Sequence, residues 1–288
     1  MEEKNMIKAF EKNKILIPLS AVGLIILNMV FWGILGKLFL PTDWLSSAKL
    51  SAIVNTVQNI LCSAAFIIII KKLYGIKIEI GTNGLIKGIF VYGLVICIAG
   101  VSSLMMSYQK PEIGFVQALP QLLLFFVFNM TVGVVEEVLY RGLIFNSFRK
   151  YFGESKKGVY RAVLLSALVF GIVHLTNLIF TPDLVIATIT QVIYAFFFGV
   201  LFNVIYYRTD NLLPCIIMHG VFDFISVFWT CFAEDLDKQI EVSNTTDMDI
   251  VSGLILIGLM STFLISGLWQ LRRIFKKRLA AEIEVSGT

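Results

Sequence analysis

The chain has 288 residues, of which 57% are hydrophobic and only 15% charged, and its mean hydropathy is +0.83. Soluble globular domains carry about 25% charged residues, so this composition excludes an ordinary water-soluble enzyme. The net charge is +4; it reports topology, and no nucleic-acid partner is expected from it.

The apolar residues form blocks of about 20, the length an α-helix needs to cross a hydrocarbon core of about 30 Å. In chain order they predict spans near residues 15–36, 50–70, 88–106, 118–145, 162–180, 184–206, 212–232 and 250–271. The runs are continuously apolar and lack the two-residue alternation of a lipid-facing barrel strand. The expectation is therefore an all-α, polytopic transmembrane bundle of about eight spans, with residues 1–288 forming a single membrane domain in the lipid bilayer.

Basic residues set the orientation. With the N-terminal arm (Lys4, Lys8, Lys12, Lys14) in the cytoplasm, the Lys71 to Lys87 loop, the Arg149 to Arg161 loop, Arg208 and the Arg272 to Arg278 tail fall on the same side. Only Lys37, Lys49, Lys110 and Lys238 lie opposite, the last within an acidic loop. The positive-inside rule then puts both termini in the cytoplasm. The basic arm leads into a stretch too long for a signal h-region, so no cleavable leader is expected. Cys62, Cys97, Cys215 and Cys231 fall within spans, without CxxC spacing, and read as packing residues. Asn129, Gln191 and Asn203 read as interhelical hydrogen-bond residues, and Trp32, Trp44, Trp229 and Trp269 as interface anchors.

Charged groups at membrane depth cost about 2.5–3.5 kcal/mol each on insertion scales, which marks them as functional candidates. The fourth span carries Glu136 and Glu137 side by side, with Arg141 four residues further on. At 100° per residue, adjacent carboxylates are expected to face different neighbours. Glu137 and Arg141 have the favourable spacing of a helical ion pair, a structural brace that leaves Glu136 free. The sequence has two histidines, His174 and His219, and both fall inside spans.

Depth along the helices tests whether these residues belong together. Glu136 is 13 residues from Arg149, His174 is 13 from Arg161 and His219 is 11 from Arg208, so each lies about 16–20 Å from the same membrane edge at 1.5 Å per residue. Asp223 follows His219 by one turn on the same helix face. Two classes of explanation fit these residues: a buried network that braces helices, and a functional site on which three helices converge.

The runs Glu136-Glu137-x-x-x-Arg141, Phe170-x-x-x-His174 and His219-x-x-x-Asp223, in that order on successive spans, are similar to the CAAX protease and bacteriocin-processing family of intramembrane proteases. The text around them, EEVLYRGLIF, FGIVH and PCIIMHGVFDF, agrees. The resemblance covers about residues 118–230, which become the expected catalytic core. It implies that Glu136 activates water, that His174 helps to hold it, that His219 and Asp223 complete the site, and that Glu137 and Arg141 support it. Asp223 stands where some members have Asn, which suits either a divalent metal such as zinc, held by Glu136, His174, His219 and Asp223, or a proton-sharing role in a metal-free glutamate mechanism. No HExxH helix is present, so the soluble zincin arrangement does not apply.

The substrates implied are peptides or membrane-tethered proteins, prenylated CAAX-type or bacteriocin-related, in a plasma membrane that the short loops suggest is bacterial. An immunity or binding protein that does not cut, and an ion-coupled carrier, are the alternatives from other classes. The sequence leaves the oligomeric state open.

Overall fold

The computed structural model of the chain describes residue 10, residues 13–39 and residues 47–286. Lys4, Lys8, Lys12 and Trp44, named above, lie outside the described residues. The elements in order are α1 (Leu16–Phe39), α2 (Ala48–Leu73), α3 (Leu85–Tyr92), α4 (Leu94–Met106), α5 (Phe115–Phe152), α6 (Lys156–Val173), α7 (Val185–Thr209), α8 (Leu213–Val227), α9 (Leu236–Thr245) and α10 (Ile250–Ser286). No strand occurs among the described residues, as the continuous apolar runs predict.

Six helices are long and apolar enough to cross a membrane, and a seventh span results if α3 and α4, bent by 65° at Gly93, are counted together. The count of eight is not reproduced. The expected span over 212–232 consists of α8, 15 residues long, followed by a 3-10 turn at Trp229–Phe232. At 1.5 Å per residue α8 covers about 22 Å, short of a hydrocarbon core.

The helices divide into an interior and a periphery. In the most apolar stretches of α5 and α7, 44% of residues are buried within the protein, against 22% for α1, α2 and α10. The outer helices present Leu19, Ile26, Ile53, Ile60, Leu254 and Leu259 to the surroundings, which in water would be an aggregation hazard and in hydrocarbon is the normal state. α7 is the hub: an unbroken run from Phe198 to Tyr206 is buried as it packs against α6 and α10. Its first turn is capped from a distance, since the carboxylate of Asp247 accepts the backbone N–H groups of Ile186 (3.0 Å) and Ala187 (2.9 Å).

Two local devices place the helices that carry the polar residues. Asp210 closes α7 in the left-handed conformation (φ 48°), and the side chain of Asn211 then bonds to the backbone of Gly81, Asn83 and Leu213. That amide ties the start of α8 to the loop before α3, and Pro214 in the first turn suits a helix entry. Further along, α8 meets α5 at close range. A Cβ on Gly133 would lie 2.8 Å from the Gly220 nitrogen and 2.9 Å from the Ile216 carbonyl oxygen. Only glycine allows that approach, which small residues typically provide between membrane helices.

Candidate active site

The acidic pair sits where α5 changes geometry. Residues Val138–Phe145 form a π-helical segment directly after Glu137, a distortion that recurs at functional sites. Wider turns leave carbonyls without their usual i+4 donors. Asn146 answers two of them, its amide donating to the carbonyls of Arg141 (3.1 Å) and Gly142 (3.0 Å), and it also reaches the Tyr206 hydroxyl at 3.0 Å.

Glu137 and Arg141 form the expected ion pair, with Nη1 donating to Oε1 at 3.0 Å and both side chains wholly buried. The guanidinium also lies over the rings of Phe170 (4.6 Å) and Phe202 (5.0 Å), a favourable setting for a desolvated cation. Arg141 is not the sole partner of Glu137. Nδ1 of His219 lies 2.7 Å from the same Oε1; since a carboxylate accepts, this nitrogen carries the proton.

The other ring nitrogen of His219, Nε2, lies 3.5 Å from Oε2 of Glu136 and 3.5 Å from Oδ2 of Asp223. Adjacent carboxylates therefore do face the same neighbour, contrary to the expectation from helical periodicity. The imidazole stands edge-on between them and meets one with each nitrogen, and glutamate side chains are long enough to turn towards it. Burial separates the two acids instead. Glu137 is sealed, whereas the side chain of Glu136 keeps 27% of its exposure and that of Asp223 keeps 32%.

Glu136 also opens into a cavity of about 240 Å³, which His174 lines from α6 together with Tyr140, Asn28, Asn59, the further polar residues Gln58, Thr176 and Asn177, and apolar neighbours. His174 begins the 3-10 turn His174–Thr176 at the end of α6. Its Nδ1 is 2.8 Å from the Phe170 carbonyl oxygen, which can only accept, so Nδ1 is the donor and Nε2 of the neutral ring is an acceptor. The Phe170 ring stands edge-to-face against both His174 (5.2 Å) and His219 (6.0 Å). The structure thus brings Glu136, Glu137, Arg141, His219 and Asp223 into direct contact and joins His174 to Glu136 through the cavity.

Several contributors escaped the sequence reading. Phe170 belongs to a motif, but its position between the histidines does not follow from spacing. Asn28 and Asn59 come from spans without a motif, and Cys62, expected to be packing only, lines the same cavity. Of the three amides expected to bridge helices, Asn203 bonds to the Val163 carbonyl at 3.0 Å and Gln191 accepts from Asn177 at 2.8 Å. Asn129 instead donates to Phe125 on its own helix.

Residues 118–225 match the family model described as Type II CAAX prenyl endopeptidase Rce1-like. This segment is similar to that family. No curated protein and no solved structure matches the chain. The Rce1-like segment runs from α5 to α8 and contains all six charged and imidazole residues of the site, while the Asn28 and Asn59 wall of the cavity comes from outside it.

A zinc ion would need three or four donors closing on one point at about 2.0–2.3 Å. Among the described residues no group of three or more His, Cys, Asp or Glu is arranged to hold a metal; Nδ1 of each histidine faces a protein acceptor, which leaves Nε2 as the nitrogen a metal would take. The side chains as they stand do not close on one point, and no chemical step is routed through an ion.

Proposed function

We propose that the chain is an intramembrane endopeptidase that hydrolyses a peptide bond near the C-terminus of prenylated CAAX-type substrates, with Glu136 as the base that activates water. The observation that carries this proposal is the contrast within the acidic pair: one carboxylate is sealed against Arg141 and His219, and its neighbour is partly exposed on a cavity shared with a second histidine.

Each residue has a step. Water sits between Glu136 and Nε2 of His174, which accepts one of its O–H bonds. Glu136 takes the other proton as the oxygen attacks the carbonyl carbon, and the carbonyl π electrons move to the oxygen. A proton on Nε2 of His219 meets that oxyanion, while Glu137 holds the ring through Nδ1 and Asp223 positions the Nε2 edge. Collapse of the intermediate breaks the C–N bond, Glu136 returns its proton to the leaving nitrogen, and the products are an amine and a carboxylic acid, whose remaining proton passes to solvent. Substrate enters from the cytoplasmic side in this reading, the side to which the positive-inside rule assigns the basic ends of these helices.

Purified protein in lipid nanodiscs is expected to release the C-terminal tripeptide from a farnesylated CAAX peptide. Glu136→Gln is expected to reduce turnover by at least 100-fold, the lower end of a general base's contribution, with unchanged thermal unfolding. Cleavage at the wild-type rate by that variant would end the mechanism.

A further inference from the structure

The cavity beside Glu136 has a wall that the chemistry above does not use. Asn28 on α1 and Asn59 on α2 line it, and both helices lie outside the Rce1-like match. Amides inside membrane proteins commonly bridge helices. Half of each amide here does that.

The other half is fixed by what the first half touches. The indole Nε1 of Trp32 donates to Oδ1 of Asn28 at 3.1 Å, and the Cys62 thiol lies 3.3 Å from the same oxygen. An indole N–H has no acceptor capacity, so this contact decides which end of the amide is oxygen. The NH₂ group of Asn28 is left without an acceptor among the described residues. Asn59 is oriented the opposite way. The hydroxyl of Thr131 spends its proton on the Phe128 carbonyl at 2.7 Å, so it can only accept from Asn59, whose Nδ2 lies 3.3 Å away. Oδ1 of Asn59 then has no donor among the described residues.

One wall of the cavity therefore offers an amide donor from one helix and an amide acceptor from the next. A peptide unit presents the complement, one acceptor and one donor. A volume of about 240 Å³ equals roughly eight waters at about 30 Å³ each, room for a short stretch of extended backbone. Glu136 and His174 line the same space.

We infer that Asn28 and Asn59 form a backbone clamp that holds a substrate peptide unit next to the scissile bond, with Asn28 donating to its carbonyl and Asn59 accepting from its N–H. The inference rests on the endopeptidase reading for the identity of the ligand. The clamp reads main chain and is indifferent to side chains, so it sets the register of the peptide and leaves sequence preference to the rest of the lining. Both residues are positioning residues.

The test uses the full-length Glu136→Gln protein in nanodiscs and a fluorescent farnesylated CAAX peptide, with binding measured by anisotropy so that no turnover is needed. Asn28→Leu and Asn59→Leu, each added to Glu136→Gln, are expected to raise Kd about tenfold, equivalent to about 1.4 kcal/mol, the size of one hydrogen bond. A second arm leaves the protein untouched. Peptides in which one non-scissile N–H at a time is replaced by an ester oxygen are expected to show a comparable loss at a single position, and that loss should vanish in the Asn59→Leu background. A purely structural asparagine would not produce this coupling. Unchanged affinity in both Leu variants, no peptide binding at all, or an ester penalty that persists in Asn59→Leu would overturn the clamp. Binding with the expected coupling but no cleavage by wild-type protein would overturn the endopeptidase reading and leave the clamp standing.

Discussion

Glu137 is the residue whose removal has the most calculable result. Its Oε1 accepts from Arg141 at 3.0 Å and from His219 at 2.7 Å, in a place where its side chain and that of Arg141 have no exposure. Glu137→Leu deletes both bonds and leaves a guanidinium buried without its counter-charge, and removing one partner of such a pair costs about 3–5 kcal/mol. Arg141→Met strands the carboxylate instead and falls in the same range, softened because His219 still donates to it. The double variant removes both charges and keeps the volume apolar, so at least half of the summed loss should return. What remains is the unpartnered Nδ1 of His219, about 1–3 kcal/mol for a buried donor. Unfolding followed by tryptophan fluorescence in detergent micelles gives all four corners of the cycle. Activity should not follow stability: the double variant regains its fold yet turns over slowly, because the histidine beside Glu136 has lost the bond that orients it. Additive losses, or a Glu137→Leu protein as stable as wild type, would refute the account of Glu137 as the shared anchor of Arg141 and His219.

Gly133→Ala places a methyl group 2.8 Å from the Gly220 backbone nitrogen; overpacking costs about 1–3 kcal/mol, and the forced separation of α5 and α8 should reduce kcat more than KM, with wild-type kcat as the refuting result. Dialysis against a chelator, with no metal restored, is expected to leave kcat unchanged, and loss of activity that zinc repairs would require different donor positions from those described here. Backbone N–H groups of Ala187 and Ile186 hold the Asp247 carboxyl below its ordinary value of 3.8. A lowered folded-state pKa means that its stabilisation is complete at neutral pH and lost as pH falls through the folded value. Melting temperature should therefore drop more steeply below about pH 4 in wild type than in Asp247→Asn, and parallel curves would exclude Asp247 as the cap of α7.

Much of the architecture is legible because crossing a membrane constrains length and composition together. Six long helices announce themselves by apolar runs alone. Hydropathy averages over a window and is blind to direction, so it misses the 65° bend at Gly93, and it counts α8 and the 3-10 turn after it as one span. Within the site, counting residues from basic ends put Glu136, His174 and His219 at one depth, and depth is what a helix translates faithfully from sequence. Partner choice is another matter. Asn28 and Asn59 are as visible in the sequence as Asn129, yet nothing in the spacing says which amide bonds to its own helix and which faces a cavity.

The acidic pair shows where one-dimensional geometry stops. Periodicity separates Glu136 from Glu137 by 100°, which is correct for their Cβ atoms and silent about the carboxylates at the ends of three rotatable bonds. A flat ring entering edge-on between them has two nitrogens on different edges, and His219 uses one for each acid. Once both carboxylates touch the same imidazole, the division of roles cannot come from direction. It comes from water access. Glu137 is closed in by Arg141, with Phe170 and Phe202 stacked on that guanidinium, and a sealed carboxylate has no route to a substrate. Glu136, partly open on the cavity with His174, has one. The same chemical group thus serves as anchor in one position and as candidate base in the next, and the difference is made by the helices that pack around it.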